Sequence, residues 1–156
     1  MENLLRALEI TKISRKTYYK ILVNHSLEQL NKVPEGFQNN LFWNIAHIVV
    51  TQQLLVYGLS NLELLVEEEW VQLYKKGSKA QKNASEEDVE LLKILLFSTI
   101  EKTEEAINEG AFKEFKSYMT STTFEIKTIE DAFEFNNFHE GIHLGYILAL
   151  KKSLIN

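Results

Sequence analysis

The chain has 156 residues, of which 45% are apolar and 25% charged, with 22 acidic against 17 basic side chains and a formal net charge of -5. That size suits one domain over 1–156 with a single hydrophobic core, and the balance excludes disordered and fibrous classes. Basic residues never run longer than two, as at Lys75-Lys76, so no nucleic-acid partner is expected, and without cysteine any transition metal must be held by His, Asp or Glu.

One proline, six glycines and apolar residues recurring every three or four positions predict long helices with few breaks. The first runs from about Leu4 to Asn31, with Leu4, Leu8, Thr11, Tyr18, Leu22 and Leu30 turned inward, and stops before Val33-Pro34-Glu35-Gly36. His25, between Asn24 and Ser26, reads as a surface residue. Asn39 or Asn40 caps a second helix that ends near Tyr57, with Gly58 as its stop. This helix is apolar nearly all round, so it is expected to be central or to meet a partner subunit.

The stretch from Leu59 to Ala84 reads as an irregular surface crossover. Ser85, with Asp88 three residues on, caps a third helix with Val89, Leu92, Leu96, Ile100, Thr103 and Ile107 inward, ending at Gly110. A second connection reaches Thr128, and its β-branched stretch from Met119 to Lys127 is compatible with a short, isolated extended segment. Thr128 caps a fourth helix to about Lys152, acidic in its first turn and basic in its last, as the helix dipole favours. The predicted class is all-α: a four-helix bundle with long crossover connections. No run of about 18 apolar residues is present to span a membrane, and the start lacks a signal-peptide pattern, so a cytoplasmic address is expected.

The fourth helix contains Phe135-Asn-Asn-Phe-His-Glu-Gly-Ile-His-Leu-Gly-Tyr. His139 and His143 are one turn apart on one face, close enough to chelate one ion, and Asn136 and Ile147 extend the same inward row. In the second helix His47 shares a row with Trp43, Val50 and Leu54. One buried histidine is ordinarily satisfied by a carbonyl or water, but three at inward positions of two apolar helices point to metal ligands with a coordination position left open. His139-Glu140-Gly141-Ile142-His143 also matches the H-E-x-x-H of zinc peptidases literally. That reading is a minor alternative: no acidic residue follows His143, and positions 146 and 149, Tyr146 and Ala149 here, are not the Gly and His of the longer motif.

A histidine midway along helix two and an H-x-x-x-H pair in helix four resemble the DinB/YfiT-like superfamily of metal-dependent enzymes. The likeness runs from Trp43 to Gln53 and from Phe138 to Lys151, with Tyr74-Lys-Lys-Gly-Ser in the crossover. It implies Zn, Ni or a similar divalent ion on His47, His139 and His143. It also implies a small-molecule substrate and an activity like that of bacillithiol S-transferases and other low-molecular-weight-thiol enzymes. A metal-dependent transferase or hydrolase is therefore the first expectation; a non-catalytic metal-binding or stress-response ligand-binding protein is the second.

Glu140 and Tyr146 are the candidate catalytic groups, although Glu140 lies about 100° round the helix from His139 and is expected to be solvated or behind the ligands. Asn44, Thr51 and Gln53 are candidates to line the pocket or orient an imidazole. Gly141, Gly145 and Ala149 make a ridge of small residues, for which either a tight contact inside the bundle or a homodimer interface is expected.

Overall fold

The first helix stops earlier than its periodicity predicts. In the computed structural model, which describes residues 1–154, α1 spans Glu2–Val23 and a separate α2 spans Leu27–Asn31. The break has a local cause: the Gln29 amide donates to Ser26 Oγ at 3.2 Å while the Ser26 amide donates to Gln29 Oε1 at 2.9 Å, a capping box that starts a new helix. His25 is half-buried at the end of α1, its Nδ1 donating to the Ile21 carbonyl at 2.8 Å, so it is not the free surface residue expected.

Asn40 Oδ1 accepts from the Trp43 amide at 2.7 Å and opens α3, Leu41–Gln53, in which every residue except Thr51 is buried. The helical path ends at Gly58, as expected, but its last turn is not α-helical. That turn is a π-helix, Leu54–Gly58, with the Leu59 amide bonded to the Leu54 carbonyl five residues back, and the left-handed residue after it is Asn61. The crossover expected to be irregular contains α4, Glu68–Tyr74, which buries Trp70, Val71 and Tyr74 and sets two of these rings edge-on against Phe42.

Ser85 and Asp88 form the predicted cap of α5, Glu86–Asn108. The helix ends with Gly110 at φ +64°, its amide bonded to the Ile107 carbonyl and the Ala111 amide to the Ala106 carbonyl, the paired closure that favours glycine at this position. The extended segment is not isolated: β1, Tyr118–Met119, pairs antiparallel with β2, Glu125–Ile126, and the fully buried Ile126 anchors the hairpin on Leu55 and Ala132. Thr128 Oγ1 accepts from the Asp131 amide, and Asp131 Oδ2 accepts from the Thr128 amide, starting α6, Ile129–Leu154.

The four long helices make the predicted all-α bundle. α1 packs on α5 and α6, and α3 packs on α6 and α5, around Tyr18, Ile45, Ile48, Leu92, Leu96 and Ile147. Polar contacts fix the rotation of α6 against α1: Thr11 Oγ1 donates to Asn137 Oδ1 at 2.7 Å, Asn137 Nδ2 to the Ala7 carbonyl at 2.8 Å, and the Tyr18 hydroxyl to the Glu140 carbonyl. That rotation turns His139 and His143 toward α3. Among the described residues the Gly141, Gly145 and Ala149 ridge makes no tight contact, since it lies on an exposed face where a Cβ added at either glycine meets nothing within 4 Å. No helix among the described residues is long and apolar enough to cross a membrane.

Candidate metal centre

His47, His139 and His143 converge between α3 and α6, each offering a side-chain nitrogen within 4.8 Å of the others. The Nε2 atoms of His47 and His139 are 3.3 Å apart. Two nitrogen ligands at 2.0 to 2.1 Å from one tetrahedral ion stand about 3.3 Å apart, so this pair already has the spacing that zinc requires.

The hydrogen bonds behind the rings choose which nitrogen is free. His47 Nδ1 donates to the Tyr74 carbonyl at 2.6 Å, one of the carbonyls that the end of α4 leaves without a helical partner, so its Nε2 carries the lone pair. Asn44 Nδ2 donates to the Asn40 carbonyl at 2.8 Å, which orients its amide so that Oδ1 accepts from His143 Nδ1 at 2.8 Å. His143 Nε2 is thereby free as well. Trp43 stacks on His47 with centroids 4.6 Å apart and planes at 11°, holding the ring from its other side. His139 Nδ1 is buried and has no hydrogen-bond partner among the described residues.

All three rings are neutral near pH 7. Burial foremost, then the neighbouring His143 and His47, pushes His139 down to about 3, and burial followed by His47 pushes His143 down to about 4. Burial also holds His47 below its ordinary value, against the opposing effect of the Tyr74 carbonyl. A neutral His139 with its proton on Nε2 donates to His47 Nε2 at 3.3 Å; in its other tautomer both Nε2 lone pairs face one point, where a cation would sit. A set of neutral imidazoles therefore fits a divalent ion.

The sign of the pH dependence follows. In the unfolded chain histidine binds a proton near pH 6.5, whereas in the folded metal-free chain His143 and His139 do so only near 4 and 3. Below about pH 6.5 the unfolded state holds more protons, so stability falls with pH toward those folded values, by up to about 1.4 kcal/mol per pH unit for each histidine. Urea unfolding of metal-free protein between pH 7.5 and 4.5 should show this loss, with a shallower one in His139→Gln; equal slopes for the two proteins would mean that His139 is not held neutral by burial.

A cavity of about 630 Å³ opens from the histidines, within the range of small-molecule sites. Leu54, Leu55 and Leu59 at the π turn and Phe135, Phe138 and Ile142 on α6 form its apolar wall. Thr51 lines it, with its hydroxyl 3.3 Å from His47 Nε2.

Other candidates lie elsewhere. Gln53 is buried away from the cavity, accepting from the Leu65 amide at 2.8 Å and so pinning the crossover. Tyr146 is 37% exposed and packs edge-on against Phe37, outside the cavity lining. Glu140 is not solvated. It is 1% exposed and joined to the fully buried Arg15 at 2.8 Å, with Ser14 and Asn136 donating to the same carboxylate. Its carboxylate is engaged on the α1 side, which removes the general base that a peptidase reading of H-E-x-x-H needs.

The inward stripe of α1 steps from Thr11 to Tyr18, and Arg15 occupies the missing position four residues after Thr11, a spacing that marked it as buried. Lys76 and the hairpin hydroxyls of Tyr118, Thr120, Ser121 and Thr122, which also line the cavity, carried no sequence signal of their own. A family model described as the DinB superfamily matches residues 10–147. No curated protein and no solved structure matches the chain.

Proposed function

The chain belongs to the DinB superfamily, and from that premise we propose that it is a metal-dependent enzyme, a transferase or hydrolase acting on a small electrophile with water or a low-molecular-weight thiol. The observation that carries this reading is the three-histidine cluster in the wall of a cavity large enough for a substrate. His47, His139 and His143 would hold a divalent ion, Zn or Ni by their chemistry, through neutral imidazole nitrogens. When bound, such an ion supplies Lewis acidity that favours the deprotonated, nucleophilic form of an incoming water or thiol.

The protein's own residues do the rest. Tyr74 and Asn44 keep the His47 and His143 rings in one orientation and one tautomer, so that two lone pairs point at the same place without reorganisation. The Thr51 hydroxyl lines the cavity beside His47 Nε2, where it would hydrogen-bond a group bound at the histidines. Leucine and phenylalanine side chains along the wall offer apolar surface to the body of a substrate.

Elemental analysis of untagged protein, purified without chelator or metal-affinity resin and then titrated with Zn and Ni, tests this reading. About one divalent ion per chain is expected, removable by chelation and restored on addition. Protein that stays empty after titration with both ions would overturn the metal reading and the enzymatic one with it.

A further inference from the structure

The histidine cavity has a charge pattern that metal binding does not use. Among its lining side chains Lys76 is the one ammonium-bearing residue; the others are imidazoles, hydroxyls or apolar groups. No Asp or Glu lines it, although the chain carries 22 of them. Like most of the lysines, Lys76 forms no ion pair among the described residues; what sets it apart is its place in the lining of the histidine cavity. Its place is set by the backbone: it stands two residues after Tyr74, whose carbonyl holds His47, and directly before Gly77, which turns the chain at φ +87°.

We infer that the cavity binds a small amphiphilic anion, with an apolar body against Leu54, Phe135, Phe138 and Ile142 and a carboxylate or sulfonate group at Lys76. The inference rests on the reading that this cavity is the substrate chamber. A cationic ligand would find no counter-charge in the lining, and a neutral one would leave the Lys76 ammonium unused. An anion meets one unpaired cation, the hydroxyls of Ser121 and Thr122, and no repelling carboxylate. Three neutral imidazoles also contribute no negative charge against a divalent ion, so an anionic ligand complements the metal-loaded cavity as well.

Two dyes with one apolar body test the assignment: 1-anilinonaphthalene-8-sulfonate and N-phenyl-1-naphthylamine, which lacks the sulfonate. Each is titrated by fluorescence into the full chain, metal-free and zinc-loaded, with zinc content measured on the same samples. Lys76 is exposed, so Lys76→Gln leaves the core intact. It is expected to weaken the sulfonate dye about three- to ten-fold, in line with a partly screened charge-assisted contact, and to leave the neutral dye unchanged. Ile142, 49% exposed on the cavity wall, can be enlarged without strain in the core, and Ile142→Trp should weaken both dyes by narrowing the chamber.

Equal effects of Lys76→Gln on the two dyes, or none on either, would overturn the anion assignment. No effect of Ile142→Trp on either dye would place both outside the cavity and overturn it too. A protein that takes up no zinc yet discriminates the dyes through Lys76 would remove the metal reading while keeping the anion-binding one, so the two failures are distinguishable.

Discussion

Glu140→Ala is expected to destabilise the protein by about 3–5 kcal/mol, the usual consequence of leaving one charge of a buried pair without its partner. Arg15 is fully buried, its Nε and Nη2 both donate to the Glu140 carboxylate, and its Nη1 has no partner, so nothing else among the described residues compensates the guanidinium once the carboxylate is removed. The same change strips the Ser14 hydroxyl and Asn136 Nδ2 of their acceptor. Against a total stability of about 5–15 kcal/mol this is a large fraction. Replacing the whole pair, Arg15→Met with Glu140→Met, should recover most of the loss, because two apolar side chains of similar length need no charge partner. Urea unfolding of Arg15→Met, Glu140→Met and the double variant measures the coupling directly. Single variants within about 1 kcal/mol of the parent would mean that the pair is hydrated in solution and does not hold α6 against α1.

The second large effect is on metal affinity. His143→Ala removes one of three converging nitrogens and should abolish stoichiometric binding of zinc, while Asn44→Ala leaves all three ligands and should weaken binding by about 10–100-fold, the usual consequence of losing a group that orients a metal-bound histidine. The grading separates supply of a ligand from orientation of one. Competition titration against a chromophoric zinc chelator reads both, and Trp43 fluorescence offers a second signal because its indole stacks on His47. An Asn44→Ala variant with unchanged affinity would show that His143 keeps its orientation by packing alone. Retention of one ion by a folded His143→Ala variant would take His143 out of the ligand set.

Much of this architecture was legible in local sequence signals. Asn40, Ser85 and Thr128 each cap the helix expected of them, because a side-chain oxygen reaching an amide two or three residues on needs nothing from the rest of the chain. The four-residue spacing of His139 and His143 places them on one face by helix geometry alone. The apolar run around His47 likewise required a buried imidazole. The break at Ser26 was also written locally, in Ser26 and Gln29, but the apolar periodicity running on to Leu30 hides it. A capping box can divide a helix without interrupting its stripe, since α2 sends Leu30 to the same core.

The rest depended on distance along the chain. Arg15 and Glu140 are 125 residues apart in sequence, and no local rule says that a carboxylate about 100° off the ligand row meets an arginine and not water. The Tyr74 carbonyl reaches His47 only because α4 forms in a crossover whose sequence looks irregular, and α4 forms because Trp70 and Tyr74 find Phe42. Lys76 and the hairpin hydroxyls join the cavity by the same route: the crossover carries one, and the hairpin anchored by Ile126 carries the others. By itself the sequence determined the four long helices, most of their ends and the two histidines that share one turn, all of which follow from interactions within a few residues. The third histidine's approach, the orientation of the rings, the burial of Glu140 and the charge of the cavity were decided by tertiary packing, because each is a contact between segments that only the closed bundle brings together.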